Sequence, residues 1–563
     1  MNQLFKNTLA ISEDTVRRVL ATTIRDPESP FFAKPLTVDG LWDQSAALVW
    51  LAEMGAVYFI PESKYYKSEE LIGLFKEICV AAVTAVHEDG TNDLIISNFR
   101  QPEYFHFPLL CQVYRQFEKI GQPTEKEAEA AAKLYYLIER LSQGLLNSGF
   151  HTPNHRWVHT SALCYAYNTL KVKDQRFMDL AEKYLAEKID IDEFGEFSER
   201  SAGMYSAISD RALCGIAAES GRPELFEYVK RNLKLVYQYI EDGTVIFTQN
   251  SHRKDKGEVG SSMLFLYDRY TDVALDAYAH TQDPEFLHIL LSALKATDHP
   301  TPTYHNTFVY LEHPELKNLT PDLSALPAME ADFHAFYPDS NIVRAKEKGI
   351  SYSLLAKKFN FLFANVGAIN ISARMCSSFF AIAQFQAEEI EQIGEKKYRM
   401  TFHAHADYKK PFDVPPANSE KYWTMDYSSR QSISPCDYGY CVDFEFIENG
   451  IRMHIRTEGM PNVPFKLEFA VTPGVYIGAG SAMTMGDAGK FICAKEGDIT
   501  LTNYEGDHIT IRGAFAEHFY HQNMRGSVSA QNDKFMVYCT GTSPIDKTVE
   551  IICEKNHPWD FFA

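Results

Sequence analysis

Asn154, His155 and Arg156 set an amide, an imidazole and a guanidinium in three consecutive positions within the run Gly149–His159. Pro153 disfavours helix in the residue before it, and Asn154 is a favourable N-cap. Beyond them Trp157, Ser161, Cys164 and Asn168 recur at roughly helical spacing. The triplet is therefore expected at a helix mouth, where free backbone N–H groups and the helix dipole favour an anion. Such a set suits a carboxylate-bearing substrate. A cap beside a surface arginine and a packed histidine is the plain alternative.

Three further stretches carry chemistry-capable side chains. Gly195 to Tyr205 contains Glu196, Ser198, Glu199 and Arg200 ahead of Tyr205; a core tyrosine opening an apolar helix would look the same. Ser251 to Lys256 is a basic island with His252 and Arg253, able to dock a carboxylate or simply to form a solvated loop. Phe402 to Asp407 alternates with period two, so His403 and His405 face one side of a strand and can share a metal. Asp426 and His454 are conceivable additional ligands. Two exposed strand histidines are the simpler reading.

The elements that must position these residues divide the chain in two. From about residue 13 to residue 300 apolar residues recur at three and four, over segments near 40–57, 68–87, 103–119, 125–147, 157–170, 174–188, 205–219, 222–241, 260–275 and 283–297. Short turns at Glu88-Asp89-Gly90, Gly121-Gln122-Pro123 and Asp242-Gly243 imply helical hairpins, stacked or closed into a ring. Residues 301–340, rich in Pro, His and Asn, are expected to be a linker. From about 341 the period becomes two, with a hairpin around Glu505-Gly506-Asp507. Many short alternating strands predict an antiparallel β-sandwich over 341–563.

At 563 residues two domains are expected. The formal charge of −20, without a basic tract, argues against nucleic acid and disfavours long polyanions. The ten cysteines lack metal-ligand spacing and lie mostly in apolar runs, as reduced core thiols do. Met1 to Asn7 shows no charged segment leading into an apolar one, and no window approaches a membrane span. A cytoplasmic protein without membrane contact is the expectation; a trimmed leader would make it secreted or periplasmic. Phosphate-binding glycine loops and a G-x-S-x-G elbow are absent.

An α+β multidomain chain with an N-terminal (α/α) toroid (1–300) followed by a C-terminal antiparallel β-sandwich resembles the polysaccharide lyases, among them the heparinase II/III-like, chondroitin AC and alginate lyases. Asn154-His155 is similar to the Asn or Asn-His of their toroids. The segment Gly195 to Tyr205 resembles the loop preceding their catalytic tyrosine, and His403-Ala404-His405-Ala406-Asp407 resembles the heparinase II/III-like H-x-H-x-D string. The usual small glycine neighbours are missing there, and Tyr408-Lys409-Lys410 replaces an apolar continuation. Tyr337 to Arg344 looks like the approach to the first sandwich strands.

The resemblance implies β-elimination at a glycosidic bond 4-linked to a uronic acid. That chemistry needs neutralisation of the carboxylate, a base for the C5 proton and an acid for the leaving O4. Asn154 and His155 would neutralise, His155 or His403 would act as base, and Tyr205 would be the proton donor, with the base as an alternative further role. Arg156, Trp157, Arg200, His252 and Arg253 would bind substrate. No cofactor is required, although His405 could belong to a structural zinc site, or calcium could be held structurally. The implied ligand is a uronic-acid-containing oligosaccharide cleaved exolytically, and a homodimer is one assembly open to the chain. An (α/α) glycoside hydrolase using two of Asp192, Glu193, Glu196, Glu199 and Asp210 is the rival. A non-catalytic glycan-binding protein is the third reading.

Overall fold

The computed structural model describes residues 2–556, except 38, 96–97, 242–244, 256–262, 265–267, 296–301, 320–323, 325, 327–331, 484–490, 523 and 532. The chain separates into two compact units. One comprises residues 1–240, 246–256 and 263–329; the other comprises 241–245, 257–262 and 330–563. The expected turn at Asp242-Gly243 lies outside the described residues.

Helices build the first unit, and local chemistry sets their ends. Glu125–Asn147 starts at a capping box, in which Glu127 N–H donates to Thr124 Oγ1 (3.3 Å) and Thr124 N–H to Glu127 Oε2 (2.9 Å). Its Ala130, Leu134, Leu137, Ile138, Leu141 and Leu145 repeat at three and four and are buried. Asp43, Ser68 and Asp174 cap three other helices with their side-chain oxygens. The helix carrying Asn154 is Pro153–Thr169, with Thr152 as N-cap and Pro153 at its first position. Asn154 therefore lies inside the first turn and does not cap it.

The stretch read as a linker contains a further helix, His305–Glu312, followed by the 3-10 turn Pro314–Asn318. Both belong to the helical unit. Asn306 to Leu311 are all buried, and the helix packs on the N-terminal helix Asn2–Thr22. Tyr310 meets Phe5 edge-on with ring centroids 5.1 Å apart, and Thr307 Oγ1 lies 2.7 Å from Ser12 Oγ. Prolines at 302 and 314 bracket the helix without interrupting it, which is why composition suggested a linker. No described helix is long and apolar enough to cross a membrane.

The second unit is organised on a sheet of fifteen described strands. Neighbours run antiparallel, except where Phe491–Cys493 pairs in parallel with Met536–Tyr538. Phe333–Tyr337 and Ile342–Glu347 form the first hairpin, across the turn 338–341. Phe491–Thr502 and His508–Phe515 form the hairpin expected around Gly506, with Thr502 opposite His508. Alternate side chains from these strands make one apolar core, including Leu354, Ile371, Met400, Val442, Ile455, Phe465 and Ile511. Arg344 is fully buried in this unit but paired: its Nη1 donates to Glu241 Oε1 (2.8 Å) and Ser353 Oγ (2.7 Å). Arg374, also buried, pairs with Glu468 and donates to the Ser529 carbonyl (2.7 Å). All ten cysteines are free thiols.

Candidate active site

Asn154 and His155 occupy the first turn of Pro153–Thr169, and both are buried. His155 Nδ1 lies 2.5 Å from the Tyr104 hydroxyl, and the Phe105 ring packs edge-on against the imidazole at 4.9 Å. Burial holds His155 far below the usual histidine range, at about 3, with the nearby His151 and Arg253 acting the same way. Burial also pushes the Tyr104 phenol up, with the adjacent Glu103 charge adding to it. Both groups are thus neutral at physiological pH. Tyr104, which the sequence analysis did not single out, is the imidazole's partner. Its contact spans 51 positions, so no local pattern could announce it.

The loop 190–204 brings the remaining groups. Gly195 has φ +97°, and a Cβ there would lie 2.3 Å from the Arg231 carbonyl oxygen, so only glycine lets the loop settle on Phe226–Tyr239. Asn232 Nδ2 donates to the Gly195 carbonyl (2.7 Å). Beyond this anchor Glu196 and Glu199 are buried on the loop. Burial pushes each carboxyl up to about 7, opposed by Arg200 at Glu196 and by Arg253 at Glu199. Glu196 accepts from Tyr239 (3.0 Å) and from Asn250.

Glu199 is the junction. With its amide nitrogen turned toward the surrounding acceptors, Asn154 donates to Thr152 Oγ1 (2.8 Å) and lies 3.2 and 3.3 Å from the two Glu199 oxygens. Arg253 Nη1 reaches Glu199 Oε1 at 3.0 Å, and its guanidinium carbon lies 4.2 Å from the centroid of the Tyr205 ring. Tyr205 opens the helix Tyr205–Ser220 and is half-buried, not enclosed in the core. Its backbone N–H donates to Ser201 Oγ (3.0 Å), whose hydroxyl donates to Asp255 (2.8 Å). Asp255 also accepts from Ser251 (2.5 Å), so one carboxylate ties the start of the tyrosine helix to the loop bearing Arg253. Asn154, Arg253 and Tyr205 are thereby linked through Glu199, and His155, next in the chain to Asn154, is held by Tyr104.

Other expected residues stand elsewhere. Arg156 does not face an open site: it pairs with Glu187 (2.8 Å) and Asp190 (3.1 Å) and lies over the Trp157 ring. Trp157 is completely buried, and its Nε1 donates to Asp190 Oδ1 (2.6 Å). The expectation that these two bind substrate is corrected. They anchor Asp190, which accepts from Ser198 and so holds the Glu199 loop. Arg200, at φ 52°, is directed to Glu196 with Nε 3.8 Å from Oε2. His252 is exposed, and its backbone N–H donates to the Glu199 carbonyl (3.1 Å). Lys256 lies outside the described residues.

His403 and His405 belong to the sheet unit, on Lys397–Lys409. Both are exposed on one face and straddle Asp437, with His405 Nδ1 2.8 Å and His403 Nε2 3.4 Å from Oδ1. The conceivable extra ligands are committed elsewhere: His454 bonds Asp546 (2.6 Å), and Asp426 accepts from the Ser428 N–H (2.8 Å). The residues do not fit the zinc site suggested for His405. A carboxylate shared by two solvated imidazoles accounts for them.

No family model matches the chain, and no curated protein matches it by sequence. In fold it is similar to heparan sulfate lyase HepC from Pedobacter heparinus, with TM-score 0.52 and 10% identity over 97% of this chain and 83% of that one. The chondroitin AC lyase of Streptomyces coelicolor A3 aligns with TM-score 0.54 and 10% identity, covering 98% and 79%. A Paenibacillus xanthan lyase aligns with TM-score 0.58 and 8% identity, covering 98% of this chain and 57% of that one. Over nearly its whole length, the chain has a fold shared with polysaccharide lyases: helices followed by a large β-sheet.

Proposed function

We propose that the protein is a polysaccharide lyase cleaving a bond 4-linked to a uronic acid by β-elimination, with the helical unit as an incomplete (α/α) toroid and the sheet as a sandwich. The observation that carries this reading is that Asn154 and Arg253 meet at Glu199 with the Tyr205 ring beside Arg253, while His155 follows Asn154 in the same helical turn. Removing the C5 proton places extra charge on the substrate carboxylate, and the groups required are donors of low or positive charge. Neutral His155 supplies one in the tautomer in which Nδ1 accepts from the Tyr104 hydroxyl and Nε2 carries the ring proton. Asn154 is a second donor. Glu199, held near 7, is a third whenever it is protonated. Arg253 offers the compensating positive charge.

Tyr205 then handles the proton: as the phenolate it takes the proton from C5, and the phenol so formed delivers it to the departing O4. Its ring lies under Arg253, so negative charge on the phenol during turnover meets a guanidinium. The net charge of −20 favours short oligosaccharides over long polyanions, which supports exolytic action. The test is incubation with a panel of uronic-acid oligosaccharides followed by ultraviolet absorbance. A lyase yields a 4,5-unsaturated, absorbing product and consumes no water. A saturated reducing sugar would instead assign Glu196 and Glu199 to hydrolysis, and binding without turnover would leave a glycan-binding protein.

A further inference from the structure

Asp276 and His280 lie one turn apart on the helix Asp268–Thr281 and so share a face. His313 caps the end of His305–Glu312, and its ring meets that of His280 with centroids 5.1 Å apart. Asp276 Oδ1 is 3.6 Å from His280 Nε2 and 4.0 Å from His313 Nε2. One donor atom from each of the three residues lies within 4.8 Å of the others. A tetrahedral zinc ion with bonds of about 2.0–2.1 Å sets its ligand atoms about 3.3 Å apart, so small side-chain adjustments close the set.

Two features go beyond proximity. His313 Nε2 is buried and has no hydrogen-bond partner, although a neutral or charged imidazole would normally satisfy it. The other nitrogen of that ring, Nδ1, lies 3.4 Å from Glu315 Oε1. A carboxylate behind a histidine is the arrangement that orients an imidazole toward a metal. His280 is steadied in turn by stacking on buried Phe226, 5.7 Å between centroids at 24°. Among the described residues no lysine or arginine pairs with Asp276, and its charge faces the two imidazoles.

The geometry points to a divalent transition-metal site, best suited to zinc, with Asp276, His280 and His313 as protein ligands and a fourth position open to water on the exposed side of His280. Two imidazoles and one carboxylate match that ion better than calcium or magnesium, which take oxygen sets. The ion would clamp the helix Asp268–Thr281 to the last helix of the unit. It is separate from the groups around Glu199 and from His403 and His405.

The test titrates zinc into chelator-stripped full-length protein and measures bound metal after gel filtration. About one equivalent is expected, with a melting midpoint raised by several degrees. His280→Ala/His313→Ala should lose both effects, whereas His403→Ala/His405→Ala should retain them. Should the first variant fail to fold, cobalt substituted into the wild type supplies a second measurement. Visible bands of tetrahedral intensity that survive in His403→Ala/His405→Ala support the site. Absence of tight metal, octahedral cobalt bands, or stoichiometry that falls with His403→Ala/His405→Ala would overturn it.

Discussion

Glu199 touches two of the four candidate groups directly, Asn154 and Arg253, and reaches Tyr205 through the second. This places two predictions on single side chains. If Tyr205 moves the proton, Tyr205→Phe keeps the ring under Arg253 and loses only the hydroxyl. Activity should fall about 10²–10⁴-fold with an unchanged unfolding midpoint; undiminished turnover removes Tyr205 from the mechanism. For Glu199, burial raises the carboxyl to about 7, so the donor form is present below that pH and lost above it. The wild-type kcat/KM should decline as pH rises through about 7. Glu199→Gln stays neutral at every pH and should lack that alkaline limb; a limb that persists unchanged means another group titrates. The triplet at 154–156 was visible in sequence because three polar types stand together, but their directions were not. Position 157 faces inward on the helix, and the partner that claims both Arg156 and Trp157 is Asp190, more than thirty residues away.

At the level of elements, the loop 190–204 does the positioning, and it depends on a close backbone approach. Gly195→Ala would adopt a positive φ and press its Cβ against the Arg231 carbonyl. Strain and overpacking together should cost about 2–4 kcal/mol and shift Glu196 and Glu199. The expected outcome is a lower urea midpoint and reduced kcat/KM in the same variant. Wild-type values for both would show that the loop tolerates a side chain at this point. Helices with clear three–four periodicity and strands with strict alternation were legible because each pattern reflects one buried face. His305–Glu312 was not. It has eight residues, lies between prolines, and is buried on so many sides that no polar face marks it.

The helical unit as a whole keeps several carboxylates out of water without a full complement of cations. Burial pushes Glu53 up to about 8, against the opposing hydrogen bond from Ser12 (3.1 Å), and pushes Glu196 and Glu312 up to about 7. A carboxyl raised in the folded state binds its proton where the unfolded chain has already released it. For Glu53 that window runs from about 4.5 to about 8, so its contribution is neutral below the window and becomes destabilising as pH rises through it. The accumulated cost by pH 9 is on the order of 5 kcal/mol, from about 1.4 kcal/mol per pH unit. Glu53→Gln retains an oxygen for Ser12 and has no charge to bury. Urea unfolding at pH 5, 7 and 8.5 should therefore show the variant close to wild type at pH 5 and progressively more stable above it. Glu196, Glu199, Glu312 and the buried Asp210, all raised by burial, leave a residual slope common to both proteins. Equal pH dependence in the two proteins would mean that Glu53 is ionised in the native fold, and that the contact between the first two helices accommodates its charge.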